Sequence, residues 1–224
     1  MGQHSEKRFK AVIFDLDGTL LDTLRDIAEA MNRTLVAFGL KPYPIEAYKN
    51  FVGEGARVLA EKVLPQKLRT QENIEHLRQQ FISDYRSNWN HYTKPYDGIP
   101  ELLDTLVQMG IDLAVLSNKP HAFTIACVES FLAKWPFKMA LGEKEDIPRK
   151  PDPKGATIIA KELDISPNEI IFVGDTKIDM KTAQNAKMFP CGVLWGFRTQ
   201  EELSKNGAKA LLKKPMDLIN LFHS

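Results

Sequence analysis

Residues Ala11-Val12-Ile13-Phe14 are apolar at every position, and Asp15-Leu16-Asp17-Gly18-Thr19 stops the run. A short run that is apolar on both faces fits a buried strand of a parallel sheet, although periodicity alone does not settle it. Similar runs over 111–116 and 170–173 stop at Ser117-Asn118-Lys119-Pro120 and at Gly174-Asp175. Weaker strands are expected over 138–141, over 192–195 and near Ala210 and Leu211. Helical patterns lie between them, over 100–109, 123–131, 153–163, 178–187 and after Pro215. Strands alternating with helices predict an α/β fold, a Rossmann-like parallel sheet with helices on both faces.

Residues 21–92 have a different texture. Leu24, Ile27, Ala28, Met31, Leu35 and Phe38 follow the spacing of one helix face, and Gly39 ends it. Thr23 and Asp26 have the spacing of a capping box. A Pro-containing turn at 41–44, a short helix over 45–51, Gly53-Glu54-Gly55, a helix to about 64 and a longer one over 71–90 complete the block. The long helix has Ile74, Leu77, Phe81 and Tyr85 as its apolar set. No convincing strand interrupts the block. It reads as a small all-helical cap domain, 21–92, inserted into a core made of 1–20 and 93–224.

Composition narrows the function. The chain of 224 residues is 43% hydrophobic and carries 30 Lys and Arg against 29 Asp and Glu. That balance suits a globular protein with a sizeable core and demands no polyanionic partner. Lys205, Lys209, Lys213 and Lys214 form a mild basic tail without an aromatic array, which reads as a solvated face and not a nucleic-acid site. No apolar run approaches membrane-spanning length, and the polar N-terminus lacks a signal-peptide stretch. Cys127 and Cys191 are far apart and outside any CxxC, as expected of free thiols in a reducing compartment. The expected location is the cytoplasm.

Ligands of open parallel sheets bind beyond the carboxyl ends of the strands. Asp15 and Asp17, Ser117 and Asn118, the Lys150 loop, and Asp175 with Asp179 all fall at such ends. Each piece alone has a plainer reading, since Asp-x-Asp-Gly also marks turns and Asp175 could cap a helix. Together they predict a convergent acidic site. Clustered carboxylates repel unless neutralised, and Mg2+ suits one or two carboxylates plus a phosphate. The five histidines show no zinc-site spacing.

Asp15-Leu16-Asp17-Gly18-Thr19-Leu20, Ser117-Asn118, Lys150-Pro151 and Gly174-Asp175-Thr176-Lys177-Ile178-Asp179 resemble, in order, the four motifs of the haloacid dehalogenase superfamily. Within it, Phe51-Val52-Gly53-Glu54-Gly55, Pro95-Tyr96-Asp97-Gly98 and Ser117-Asn118-Lys119 look most like phosphoglycolate phosphatases. The resemblance implies Asp15 as the nucleophile that forms an aspartyl-phosphate. It implies Asp17 as the acid for the leaving oxygen and then the base for water. Ser117 would hydrogen-bond the phosphoryl group and Lys150 would offset its charge. Mg2+ would be held by Asp15, Asp175 and the Asp17 main-chain carbonyl, with Asp179 behind them steering Lys150 or a metal-bound water. Thr19 could donate a hydrogen bond there or act as a local cap.

Selectivity is expected from the cap. Arg57 and Lys49 are candidates to meet a second anionic group, the plainer reading of each being a solvated helix charge. Gly53 and Gly55 would let the backbone approach a small ligand, or form an ordinary interhelical turn. Asn118 and Lys119 lie at the mouth of the core site and are further substrate-binding candidates. Asp17 argues against a haloacid dehalogenase proper, which lacks a second carboxylate. Lys49 and Lys62 sit in no recognisable Schiff-base context, and the mutase-type Thr-Arg-Tyr is absent. The expectation is a Mg2+-dependent phosphomonoesterase acting on 2-phosphoglycolate. Pyrophosphatase, nucleotidase, sugar phosphate phosphatase or phosphomutase activity on the same core stays open, as does a non-catalytic phospho-ligand-binding module. The expected partner is a small phosphorylated metabolite, with the chain a monomer or homodimer.

Overall fold

The structure, a computed structural model, describes residues 8–223. The N-terminal reading falls largely on residues 1–7, outside the described residues. In chain order the first half contains β1 (Ala11–Phe14), β2 (Leu21–Asp22), α1 (Leu24–Ala37), α2 (Ala56–Val63), α3 (Gln71–Asn88), β3 (Lys94–Pro95) and α4 (Ile99–Gln108). Then follow β4 (Asp112–Pro120), α5 (His121–Phe131), β5 (Phe137–Glu143), α6 (Lys154–Glu162), β6 (Ile170–Gly174), α7 (Lys177–Asn185), β7 (Phe189–Val193), α8 (Gln200–Lys205) and β8 (Ala210–Leu212).

Six strands form one parallel sheet in the order β5-β4-β1-β6-β7-β8. The alternation along β1 shows how it is covered. Val12 and Phe14 point into a core shared with Leu102 and Leu106 of α4 and Cys127 of α5. Ala11 and Ile13 point the other way, against Ile159 of α6 and Ala183 of α7. Both faces are therefore dry, which is why β1 has no polar position. The first strand lies between β4 and β6; the chain builds outward from it to β4 and β5, then crosses back to β6, and a crevice opens at its carboxyl end where the direction reverses.

Residues 24–88 pack around their own apolar cluster. Ile27, Met31 and Leu35 of α1 meet Leu59 and Val63 of α2 and Ile74, Leu77 and Phe81 of α3. Full burial of such a side chain contributes about 1.5–3 kcal/mol. Gly39 takes φ +78, and the Leu40 N–H reaches back 2.9 Å to the Leu35 carbonyl, closing α1 with a Schellman turn. Phe123 of α5 and Phe197 join the same cluster, tying it to the sheet layer.

Several elements differ from expectation. Thr23 and Asp26 make no capping box, because Asp26 is used elsewhere. Its carboxylate accepts from the N–H groups of Tyr92 and Thr93 and, at 2.6 Å, from the Thr93 hydroxyl. Asp26 thus fastens the return crossing to the outgoing one. Leu21–Asp22 and Lys94–Pro95 pair as an antiparallel ribbon at the same crossing. Two residues per strand are too few to leave a periodic signal.

The strand expected over 192–195 lies at Phe189–Val193. Pro190 obscures it, yet its carbonyl still accepts from Lys209 N–H at 2.8 Å. The segment after Pro215 is 3-10 and not α-helical. Helix α8, which has no marked apolar stripe, starts at Thr199, whose hydroxyl accepts from Glu202 N–H.

Candidate active site

Strand β4 runs past Leu116 to Pro120, so Ser117, Asn118 and Lys119 belong to the strand end itself. Asp15 follows β1 and Asp175 follows β6. Since β4, β1 and β6 are neighbours, all these groups converge on one edge of the sheet. Asp179 lies in the first turn of α7, where Thr176 and Asp179 form a capping box. Its Oδ2 accepts from Thr176 N–H at 3.0 Å and from the Thr176 hydroxyl at 2.6 Å. Gly174 leaves room for it, because a Cβ there would lie 2.3 Å from Asp179 Cβ.

The Lys150 ammonium donates to Asp179 Oδ1 at 2.6 Å and pairs with Asp15 Oδ1 at 2.8 Å. Asp15, Asp175 and Asp179 are buried, with carboxylate oxygens within 4.8 Å of one another. One ammonium against three carboxylates leaves the cluster underneutralised. Burial, then Asp179, pushes the Asp15 carboxyl up to about 7, with Lys150 pulling against them. Burial, then Asp179 and Asp15, raises Asp175 well above the usual carboxylate range. Burial would lower Lys150, but Asp15 and Asp179 outweigh it and the ammonium is held charged.

These residues fit a hard divalent cation. The donors are oxygens, the excess charge is negative, and Asp175 Oδ1 is buried without a hydrogen-bond partner. The other oxygen of Asp175 is fixed by Phe197 N–H at 2.7 Å. Asp179 is committed on both oxygens, which leaves Asp15 and Asp175 as the carboxylates able to hold the ion. Gly18 and Gly196 bring the backbone close, since a Cβ on either would come within 2.6 Å of Asp175 Oδ2.

Asp17 faces the other side of the crevice. Lys119 donates to its Oδ1 at 3.0 Å and Oδ2 at 3.3 Å, and to the Tyr85 hydroxyl at 2.8 Å. Burial alone would lower Lys119; Asp17 and Tyr85 outweigh it and keep the ammonium charged. Asp15, Asp17, Ser117, Asn118 and Lys119 form the floor of a cleft. Its roof is Val52, Gly53, Gly55, Ala56, Leu59 and Phe81.

Not every expected residue reaches this cleft in the expected way. Arg57 is turned away, bonded to the Gln71 side chain and paired with Glu75 at 3.7 Å on the surface of the helical block. Its place on α2 faces α3 and not the sheet. Lys49 pairs with Glu46 at 2.7 Å and is likewise exposed. Thr19 is fully buried, its hydroxyl unpartnered and its carbonyl accepting from Trp195 Nε1, and it does not line the cleft. Asn118 does line it, but its amide serves protein partners. The amide nitrogen donates to the Lys150 and Gly53 carbonyls, and Oδ1 accepts from Lys150 N–H at 2.8 Å.

Three side chains appear that motif reading missed. Arg149 donates to the Glu54 carbonyl at 2.8 Å. Arg198 donates to the carbonyls of Lys49 and, at 2.9 Å, Val52. With Asn118 they hold the roof segment 49–54 from below. Arg149 adjoins Lys150, a usable signal; Arg198 lies outside any motif. Tyr85 reads as part of an apolar helix face, and only docking brings its hydroxyl to Lys119. Among the described residues, no helix is long and apolar enough to cross a membrane.

The family model for haloacid dehalogenase-like hydrolases matches residues 12–193. A phosphoglycolate phosphatase of Aquifex aeolicus is 34% identical over 215 residues, covering 95% of this chain and 96% of its own. An N-acetylmuramic acid 6-phosphate phosphatase of Pseudomonas aeruginosa is 30% identical, covering 96% of this chain and 95% of its own. A solved structure from Lactobacillus delbrueckii subsp. bulgaricus has a TM-score of 0.92 at 31% identity, covering 97% of this chain and all of that one. This chain belongs to the haloacid dehalogenase-like hydrolases.

Proposed function

We propose that this haloacid dehalogenase-like phosphatase hydrolyses a small phosphomonoester with Mg2+, using Asp15 as nucleophile, and that its substrate is 2-phosphoglycolate. The observation that carries the chemistry is the convergence of Asp15, Lys150, Asp175 and Asp179, with Asp17 and Lys119 across the crevice.

A carboxylate and a phosphate monoester repel, by about 4 kcal/mol for unit charges 4 Å apart at an effective dielectric near 20. Mg2+, held by Asp15, Asp175 and the Asp17 main-chain carbonyl, would supply most of the countercharge when bound. Lys150 supplies the rest and keeps Asp15 aligned. Ser117 donates to a phosphoryl oxygen.

Asp15 attacks phosphorus, the bond to the ester oxygen breaks, and Asp17 gives that oxygen a proton. Asp17 then takes a proton from water, which attacks the phosphorus. The acyl-phosphate bond breaks, freeing Asp15 and inorganic phosphate. The helical roof keeps bulk water from the intermediate.

The carboxylate of 2-phosphoglycolate would meet Lys119, the cation lining the cleft. The phosphoglycolate phosphatases among the relatives support that choice. A sugar phosphate is the second reading, favoured by the hydrocarbon roof and by the muramic acid 6-phosphate relative.

Phosphate release across 2-phosphoglycolate, sugar 6-phosphates including N-acetylmuramic acid 6-phosphate, and nucleotides tests the choice. A clear preference for 2-phosphoglycolate, abolished by chelation, is expected. Preference for a sugar phosphate sinks the glycolate assignment and leaves the chemistry standing.

A further inference from the structure

The helical roof brings one polar side chain to the cleft. Ile27, Val52, Leu59, Phe81 and Ile82 present hydrocarbon, while Tyr85 presents a hydroxyl. Tyr85 is 2% exposed, stacked on Phe81 at 5.4 Å and edge-on to Phe123 of α5 at 5.1 Å. Packing on two sides holds the ring, so the hydroxyl position follows how α3 docks. That hydroxyl accepts from Lys119 Nζ at 2.8 Å, the same nitrogen that holds both oxygens of Asp17. A relay of contacts thus runs from the roof, through the end of β4, to the loop after β1. The apolar spacing of α3 asks for bulk at position 85; phenylalanine would supply it without a hydroxyl.

We infer that Tyr85 is a positioning residue: its hydroxyl holds the Lys119 ammonium, and through it the Asp17 carboxylate, in working orientation while the roof is seated over the cleft. When α3 lifts, Lys119 loses this acceptor and Asp17 loses its fixed partner. The site is then assembled for proton transfer only after closure over the substrate. The inference rests on the reading of Asp17 as the group that transfers the proton.

The test compares wild type, Tyr85→Phe, Lys119→Met, the double variant and Asp17→Asn, saturated with Mg2+. The probes are 4-nitrophenyl phosphate and the ester of the substrate panel that is turned over fastest. Tyr85→Phe should lower kcat about ten-fold, as for loss of one charge-assisted hydrogen bond. KM should stay within about two-fold, the sign of an interaction that acts in the transition state. In the Lys119→Met background the same change should alter kcat by less than about two-fold, because the two residues act in series. Wild-type kcat in Tyr85→Phe, with or without a lower melting temperature, overturns the inference and leaves Tyr85 a packing role. So do equal losses in both backgrounds. Asp17→Asn separates the two levels. If it is inactive while Tyr85→Phe is unimpaired, only the inference fails. If it turns over normally, the reading of Asp17 fails as well.

Discussion

Lys150 and Asp179 meet at 2.6 Å with side-chain exposures of 2% and 0%. Neither charge has water to fall back on, so Lys150 depends on Asp179 and Asp15, and Asp179 on Lys150 and Thr176. Breaking a buried pair by removing one partner typically costs about 3–5 kcal/mol. Lys150→Met should lose stability of that order in urea denaturation and lower kcat at least about 100-fold. A variant of near wild-type stability and activity would mean that Lys150 is dispensable to both the fold and the chemistry.

The acidic cluster makes stability depend on pH. Folding raises Asp15 from 3.8 to about 7, mainly through burial. Between these values the folded chain binds more protons than the unfolded one, so metal-free stability falls as pH rises through that window. Asp175 is shifted in the same direction. Mg2+ competes with those protons. The rise in melting temperature on adding Mg2+ should be small near about pH 5 and larger near about pH 8. A metal effect that does not vary with pH contradicts the assignment of these carboxylates as ligands.

Gly18 holds φ +85, and a Cβ there would come 2.4 Å from Asp175 Oδ2. Gly18→Ala should push Asp175 from its place and cost about 1–3 kcal/mol in backbone strain. The half-saturating Mg2+ concentration should rise about ten-fold or more in titrations of activity. An unchanged metal requirement would show that Asp175 is not needed where it lies.

The roof contacts predict opposite results for two arginines. Arg149 reaches from the sheet layer to the Glu54 carbonyl, so Arg149→Ala should lower kcat/KM about ten-fold through loss of a charged hydrogen bond. Arg57 spends its charge on Gln71 and Glu75 at the surface, so Arg57→Ala should stay within about two-fold. Steady-state kinetics that reverse this order would return Arg57 to the substrate.

What could be read from the chain alone was whatever local order encodes. Asp15 and Asp17 follow one apolar strand directly, and Gly174-Asp175 follows another. The partners that residues find across the fold were not legible. Asp26 has the spacing to cap its own helix, but docking brings its carboxylate the N–H donors of Tyr92 and Thr93 instead. Arg57 reads either as a solvated helix charge or as a substrate cation, and only the setting of α2 against α3 shows it paired with Gln71 and Glu75. Tyr85 looks like one more apolar residue until α3 is laid over Lys119. β7 is hidden by Pro190, a residue that argues against an inner strand, although β7 is paired on both sides, by β6 and β8.

The central claim is that Asp15 takes the phosphoryl group. The direct measurement is to quench the Mg2+-loaded enzyme with acid during turnover, reduce it with borohydride and map the peptides by mass. Borohydride converts an aspartyl-phosphate to homoserine. Homoserine at position 15, absent without substrate and absent in Asp15→Asn, is the expected result. An unmodified Asp15 in an enzyme that is turning over, caught at several quench times, would contradict the covalent route and point to direct attack by water.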